Sequence, residues 1–236
     1  MTFNLKIMLT LGFLMTLANA EKLRLKRADV LESKKIGFET VKHLQGNVQF
    51  EKGDIKLNCQ RSVYKERKDI AFLFNQVKIF KDDLILECDS ITFFSKKNKL
   101  ESNGNPIIYD LGYKLVADSL IYFTELDSGI ALGNVELIQN DQKIKADRIE
   151  YVKNPGSEAI SYIAIGNVEI IDSLRTATCG LANYNDITEK TILGREPIII
   201  DEQRTIAGEQ IVLQYDKKSL SRLLIPNNAK IFSSIM

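Results

Sequence analysis

The chain has 236 residues, with 32 basic side chains against 31 acidic ones. A net charge of +1 excludes the broad basic surface that nucleic-acid binding demands. One His, three Cys and no Cys-x-x-Cys exclude an ordinary structural zinc site, and no cofactor motif is present.

From the N-terminus, Lys6 is followed by an apolar run from Ile7 to Leu17 and then by Ala18-Asn19-Ala20. That order reads as a secretory signal peptide, residues 1–20, cleaved after Ala20. The run is too short to span a bilayer stably; a retained anchor helix is the alternative. Without it the chain keeps 31 basic and 31 acidic residues and is expected to be exported. No Pro- or Ser-rich linker divides residues 21–236, so one repeat domain is expected.

Two markers recur along that domain. The first is Val48, Val77, Pro106, Val135, Val168, Pro197 and Ala229, often after Gly-Asn. The second is a small residue, Cys59, Cys88, Ala117, Ala146, Cys179 and Gly208, with a degenerate copy at Ala28. From Val48 to Cys59, and in every later pair, the gap is 11 residues; from Cys59 to Val77 it is 18, a spacing that stretches elsewhere. A fixed segment joined to a variable one implies a repeat, here about seven copies of roughly 29 residues.

Within a copy the apolar residues alternate, as in a half-buried strand. Ile144 and Ala146 share one parity; after Asp147 it changes to Ile149 and Tyr151. A second change is read at Gly133-Asn134, with Ile130 and Leu132 inward before it and Val135 and Leu137 after; Ile163, Ile165, Val168 and Ile170 are read the same way. Each copy then supplies two bent antiparallel strands, turning at clusters such as Lys52-Gly53-Asp54 and Lys81-Asp82-Asp83. The expected fold is all-β: an elongated, open β-jelly roll with its apolar core along the stack.

Cys59, Cys88 and Cys179 occupy the small-residue position, which favours buried free thiols; Cys59–Cys88 is the pair most worth testing for a bridge. Asp89, Asp118, Asp147 and Glu209 recur at the bend, where carboxylates are expected to accept local backbone N–H bonds. A carboxylate ladder acting on a sugar or binding cations is the alternative. His43 reads as a solvated surface residue, and no catalytic set is found, so the chain is not expected to be an enzyme. Nothing closes the stack. Its terminal strand, with Ala229, Ile231 and Phe232, is expected to dock edge to edge on a second copy or a partner of similar fold.

Gly46-Asn47-Val48-Gln49-Phe50, Gly133-Asn134-Val135-Glu136-Leu137 and Gly166-Asn167-Val168-Glu169-Ile170, each 11 residues ahead of a motif such as Ala117-Asp118-Ser119-Leu120-Ile121-Tyr122, resemble the LptA/OstA repeat. The resemblance spans about residues 22–232, with departures at Asn75-Gln76-Val77, Glu196-Pro197 and Asn228-Ala229. It implies a periplasmic protein of lipopolysaccharide transport whose partners are the glycolipid and inner- and outer-membrane transport proteins of similar fold. It also implies that an inward row holds acyl chains: Val48, Phe50, Val77, Ile79, Leu86, Phe93, Leu115, Val135, Leu137, Ile144, Val168 and Ile170. A lipid-free periplasmic filament stacked through its edges, and a β-helix acting on polysaccharide, remain the alternatives.

Overall fold

Period-two apolar patterning makes long strands here, and positive-φ pairs bend them. A computed structural model describes residues 21–233 apart from Leu111, Asn140, Pro155, Ser157, Glu158, Lys217 and Lys218. The expected signal peptide lies outside the described residues, as do parts of the expected turns near 140, 155 and 217.

The N-terminal end has two short strands, β1 (Arg24–Arg27) and β2 (Val30–Ile36). Four long strands follow: β3 (Glu39–Lys52), β4 (Ile55–Lys65), β5 (Ile70–Lys81) and β6 (Leu84–Phe94). The next repeat is broken at its bends into β7 (Lys99–Asn103), β8 (Ile107–Asp110), β9 (Tyr113–Val116) and β10 (Ser119–Phe123). Four more long strands come next: β11 (Ser128–Gln139), β12 (Gln142–Lys153), β13 (Ile160–Ile171) and β14 (Arg175–Asn185). The C-terminal end is again divided: β15 (Lys190–Gly194), β16 (Ile198–Asp201), β17 (Arg204–Ala207), β18 (Gln210–Asp216), β19 (Ser219–Leu224) and β20 (Lys230–Ser233). All belong to one antiparallel sheet, and among the described residues the helical content is a single 3₁₀ turn, Ser95–Lys97. The protein is nearly all β, as the alternation implies.

The two markers lie opposite each other on neighbouring strands. Val48 pairs with Cys59, Val77 with Cys88, Val135 with Ala146 and Val168 with Cys179. Register shifts fall beside these pairs, between Gln45 and Val48 and between Leu132 and Val135. The markers therefore trace the line along which the sheet folds. The 11-residue gap is a hairpin with a short arm on one side of that line; the longer gap is the hairpin on the other side.

The fold line separates two arms of the sheet. The short arm runs from β1 through the inner half of each long strand to β8, β9, β16, β17 and β20. The long arm runs from β2 through β7, β10, β15 and β18 to β19. One continuous core of buried Leu, Ile, Val, Ala, Phe and Tyr lies between the arms. Phe50 of the short arm meets Tyr64 of the long arm edge to face, with ring centroids 5.5 Å apart.

One reading from sequence is corrected, and the free state expected of the cysteines is found. The inward residues before Gly133 and Gly166 are Ala131 and Ala164, both fully buried, whereas Ile163 is 37% exposed. Ile130, Leu132 and Ile165 are likewise only half-buried. The Gly-Asn pair inserts two residues, and two is the period of a strand, so the inward phase does not change there. The phase changes at the second marker, where one residue, such as Asp147, makes the bend. All three cysteines are free; β5 lies between the strands of Cys59 and Cys88, too wide a gap for a disulfide.

Candidate functional site

The fold line is held by a clasp that the sequence displays without explaining. Gly133 and Asn134 are both left-handed, with φ of 73° and 43°. The Asp118 N–H donates to the Gly133 carbonyl at 3.0 Å, and Asn134 Nδ2 donates to Asp118 Oδ2 at 2.9 Å. The same side-chain bond joins Asn47 to Asp29 and Asn167 to Asp147. Gly is required because a Cβ at Gly133 would run into the Asp118 carboxylate. Asp118, Asp147 and Glu209 thus accept from an Asn of a later strand or turn and not, as expected, from local backbone N–H groups. In departing copies the partners change together. Gln60 donates to Gln76 at 3.4 Å, and Gly180 leaves the space that the Arg195 side chain fills. The signal for the clasp was the Asp marker lying 16 residues before Asn134 and 18 before Asn47, where only the longer hairpin varies.

All twelve residues of the inward row are buried, from 0% exposure at Val48, Phe50, Leu86 and Phe93 to 6% at Ile170. They belong to one cluster and fill the space between the arms. A hollow of about 30 Å³, lined by Ile108, Tyr113, Leu115, Leu137, Ile149, Tyr151 and Ile160, is one of the gaps in the packing. An acyl chain reaches this row only where the arms part.

The free ends of the arms form a mouth, which is closed differently along its length. Lys52, at the tip of a short-arm hairpin, crosses to the long arm and donates to the Ser95 carbonyl and the Asn98 side chain. One repeat later Lys81 crosses to the Thr124 carbonyl at 2.7 Å and pairs with Asp127. Burial lowers the Lys52 pKa, opposed by the charge of Asp69. Burial pushes the Asp127 carboxyl up, but hydrogen bonds from Lys81 and Tyr122 outweigh it and hold it below the usual range.

The position four residues past each of the first six copies of the first marker is Lys52, Lys81, Asp110, Gln139, Asp172 and Asp201. Asp172 turns back on its own hairpin, accepting the N–H groups of Leu174 at 2.8 Å and Arg175 at 2.9 Å. Asp201 does the same with Gln203 and Arg204. Where the crossing lysines stop, the mouth opens into a cleft of about 550 Å³ lined by Gln139, Gln142, Asp172, Leu174, Arg175, Tyr184, Tyr215 and Leu220. That volume is within the range of small-molecule sites. Tyr184 and Tyr215, at its floor, pack against the core and lead to it.

At the C-terminal end β20 pairs on one side only, with β17, and leaves Ile231 and Phe232 each 60% exposed. Ala229, just before it, lies in an open hollow with Pro197, Gly208 and Lys230. Sequence reasoning missed the second edge there: β19, which ends the long arm beside β18. His43 is exposed, and among the described residues no cluster of His, Cys, Asp and Glu could hold a metal.

Residues 114–219 match the family described as LptA/(LptD N-terminal domain) LPS transport protein. Among solved structures, the chain resembles LptH of Pseudomonas aeruginosa, the LptA-homologous periplasmic component of its lipopolysaccharide transport device, at 15% identity and a TM-score of 0.42. That match covers 52% of this chain and 94% of the other. No curated protein sequence matches the chain. Residues 114–219, from β9 to β18, are thus similar to an LptA/LptD N-terminal module, and this stretch contains most of the open part of the mouth.

Proposed function

We propose that this is a periplasmic, non-enzymatic lipid carrier that shields lipopolysaccharide acyl chains between its two arms and bridges the inner to the outer membrane. One observation carries the reading: the stretch matching a lipopolysaccharide-transport module holds, beyond the crossing of Lys81 to Thr124 and Asp127, a cleft that leads to the core. Acyl chains would part the arms there and pack first against Leu115, Val135, Leu137, Ile144, Val168 and Ile170. Each buried CH₂ returns about 0.8 kcal/mol, which offsets lost contacts between the arms. Val48, Phe50, Val77, Ile79, Leu86 and Phe93 extend the row beneath the lysine crossings. Ala229, Ile231 and Phe232 on the β20 edge would take up a strand from a second copy or a transport protein of similar fold.

A second reading, a lipid-free scaffold stacked by its edges, is favoured by the burial of the whole inward row by side chains of the protein itself. Mass spectrometry of lipid co-purifying from the native envelope separates the two. Glycolipid captured by photo-crosslinkers at Leu137 and Ile170, but not at outward Lys143 and Glu150, supports the carrier. Equal capture at both sets, or no bound lipid, rejects it.

A further inference from the structure

The corner where β2 turns into β3 is built unlike the rest of the rim. Phe38, at the hairpin tip, is 88% exposed, and neighbouring Ile36 is 64% exposed. Neither helps to close the core. Both line an open hollow of about 430 Å³ with Glu39, Arg67, Lys68 and Lys96, so three successive rim turns meet there. Lys34, Lys35 and Lys97 are exposed beside them. The nearby carboxylates are already engaged: Glu39 accepts the Arg67 backbone N–H at 2.7 Å, and Glu66 pairs with Lys42 at 3.1 Å. An exposed aromatic and an aliphatic residue ringed by an excess of cations is complementary to one surface chemistry, anionic headgroups over hydrocarbon.

We propose that this corner docks on an anionic phospholipid bilayer, with Phe38 and Ile36 entering the headgroup region and the lysines and Arg67 meeting lipid phosphates. The contact does not depend on cargo in the interior. It lies on the N-terminal half, away from the open cleft and from β20, so membrane contact and strand docking need not compete.

The chain contains no tryptophan, so Phe38→Trp places a single fluorophore at the tip without touching the core. Its emission is expected to shift to the blue on vesicles of phosphatidylcholine mixed with phosphatidylglycerol. Phosphatidylcholine alone should leave it unchanged, and molar salt, where the Debye length is about 3 Å, should reverse the shift. A lysine near an anionic surface adds roughly fivefold to partitioning, so Lys68→Ala with Lys96→Ala should weaken vesicle binding about twenty-five-fold. An unshifted tryptophan, an equal shift on neutral vesicles, or a double variant that binds as well as its parent overturns the proposal. Binding to a soluble acidic protein with no shift on vesicles overturns it too, and assigns the corner to that class of partner.

Discussion

The N-terminal and C-terminal halves of the sheet use similar bent strands, yet among the described residues lysines bridge the mouth of the first and not of the second. The difference sits at one position per repeat. A lysine there is long and carries only donors, so it can reach carbonyls on the opposite rim, as Lys52 and Lys81 do. An aspartate has acceptors only. The opposite rim offers carbonyls, so Asp172 and Asp201 satisfy themselves on the N–H groups of their own turns. A repeat protein can thus close or open its interior locally without altering its core, because each repeat contacts only its neighbours.

The largest effects should come from the core, which both halves share. Phe93→Ala, beneath the bridged mouth at 0% exposure, is expected to cost about 3–5 kcal/mol, and Leu137→Ala, beside the small hollow, about 2–3 kcal/mol. Urea unfolding of both variants measures the contrast; equal losses would show that the open half is packed as tightly as the closed one. Next in size is Lys81→Met, which takes the ammonium donor from the Thr124 carbonyl and leaves Asp127 with the Tyr122 hydroxyl but no cationic partner. A loss of about 1–3 kcal/mol is expected. If the lysines close the mouth, lipid capture by a crosslinker at Phe93 should rise in this variant while capture at Ile170 stays level. Unchanged capture at Phe93 would mean that the bridges do not gate the interior.

The clasps offer a smaller, paired test along the fold line. Asp118→Ala removes the acceptor of Asn134 and is expected to cost about 1 kcal/mol. Gln76→Gly should do the reverse. Asn75 and Gln76 are left-handed without glycine, with φ of 64° and 54°. Left-handed backbone costs roughly 1–2 kcal/mol per non-glycine residue, part of which glycine returns to unfolded-chain entropy. Thermal melts of the two single variants give the signs.

Much of this was legible. The constant 11-residue spacing gave the hairpin, the small residues gave the fold line, and alternation gave the inward row, all twelve members of which are buried. Three things were not. The phase at Gly-Asn was misread because Ile130, Leu132 and Ile163 are apolar yet face outward, while small Ala131 and Ala164 face in. Apolar composition marks inward residues only when the outward face is polar, and here it is not. The clasp was missed because its partners lie on neighbouring strands, and the contrast between halves because Lys52 and Lys81 look like ordinary turn lysines. Only the fold brings their ammonium groups over the far rim.

The smallest expected effect tests the junction where bridging ends. Asp110 occupies the lysine position just after Lys81, and its Oδ1 is buried with no hydrogen-bond partner. Burial raises its pKa, while the charge of Lys153 pulls the other way. For an acid whose folded pKa lies above its unfolded value, folding carries a cost once the carboxyl ionises. That cost is absent below the unfolded value near 4, grows as pH rises through the folded pKa, and is complete at neutral pH. Asp110→Asn removes the charge and keeps the shape. It should therefore stabilise the protein by under about 1 kcal/mol at neutral pH, and the advantage should vanish in acid. Melting curves from acid to neutral pH measure it. A gap that is constant with pH would trace the effect to packing, and a variant less stable at neutral pH would show that the carboxylate is held by Lys153 and completes the closure that Lys52 and Lys81 begin.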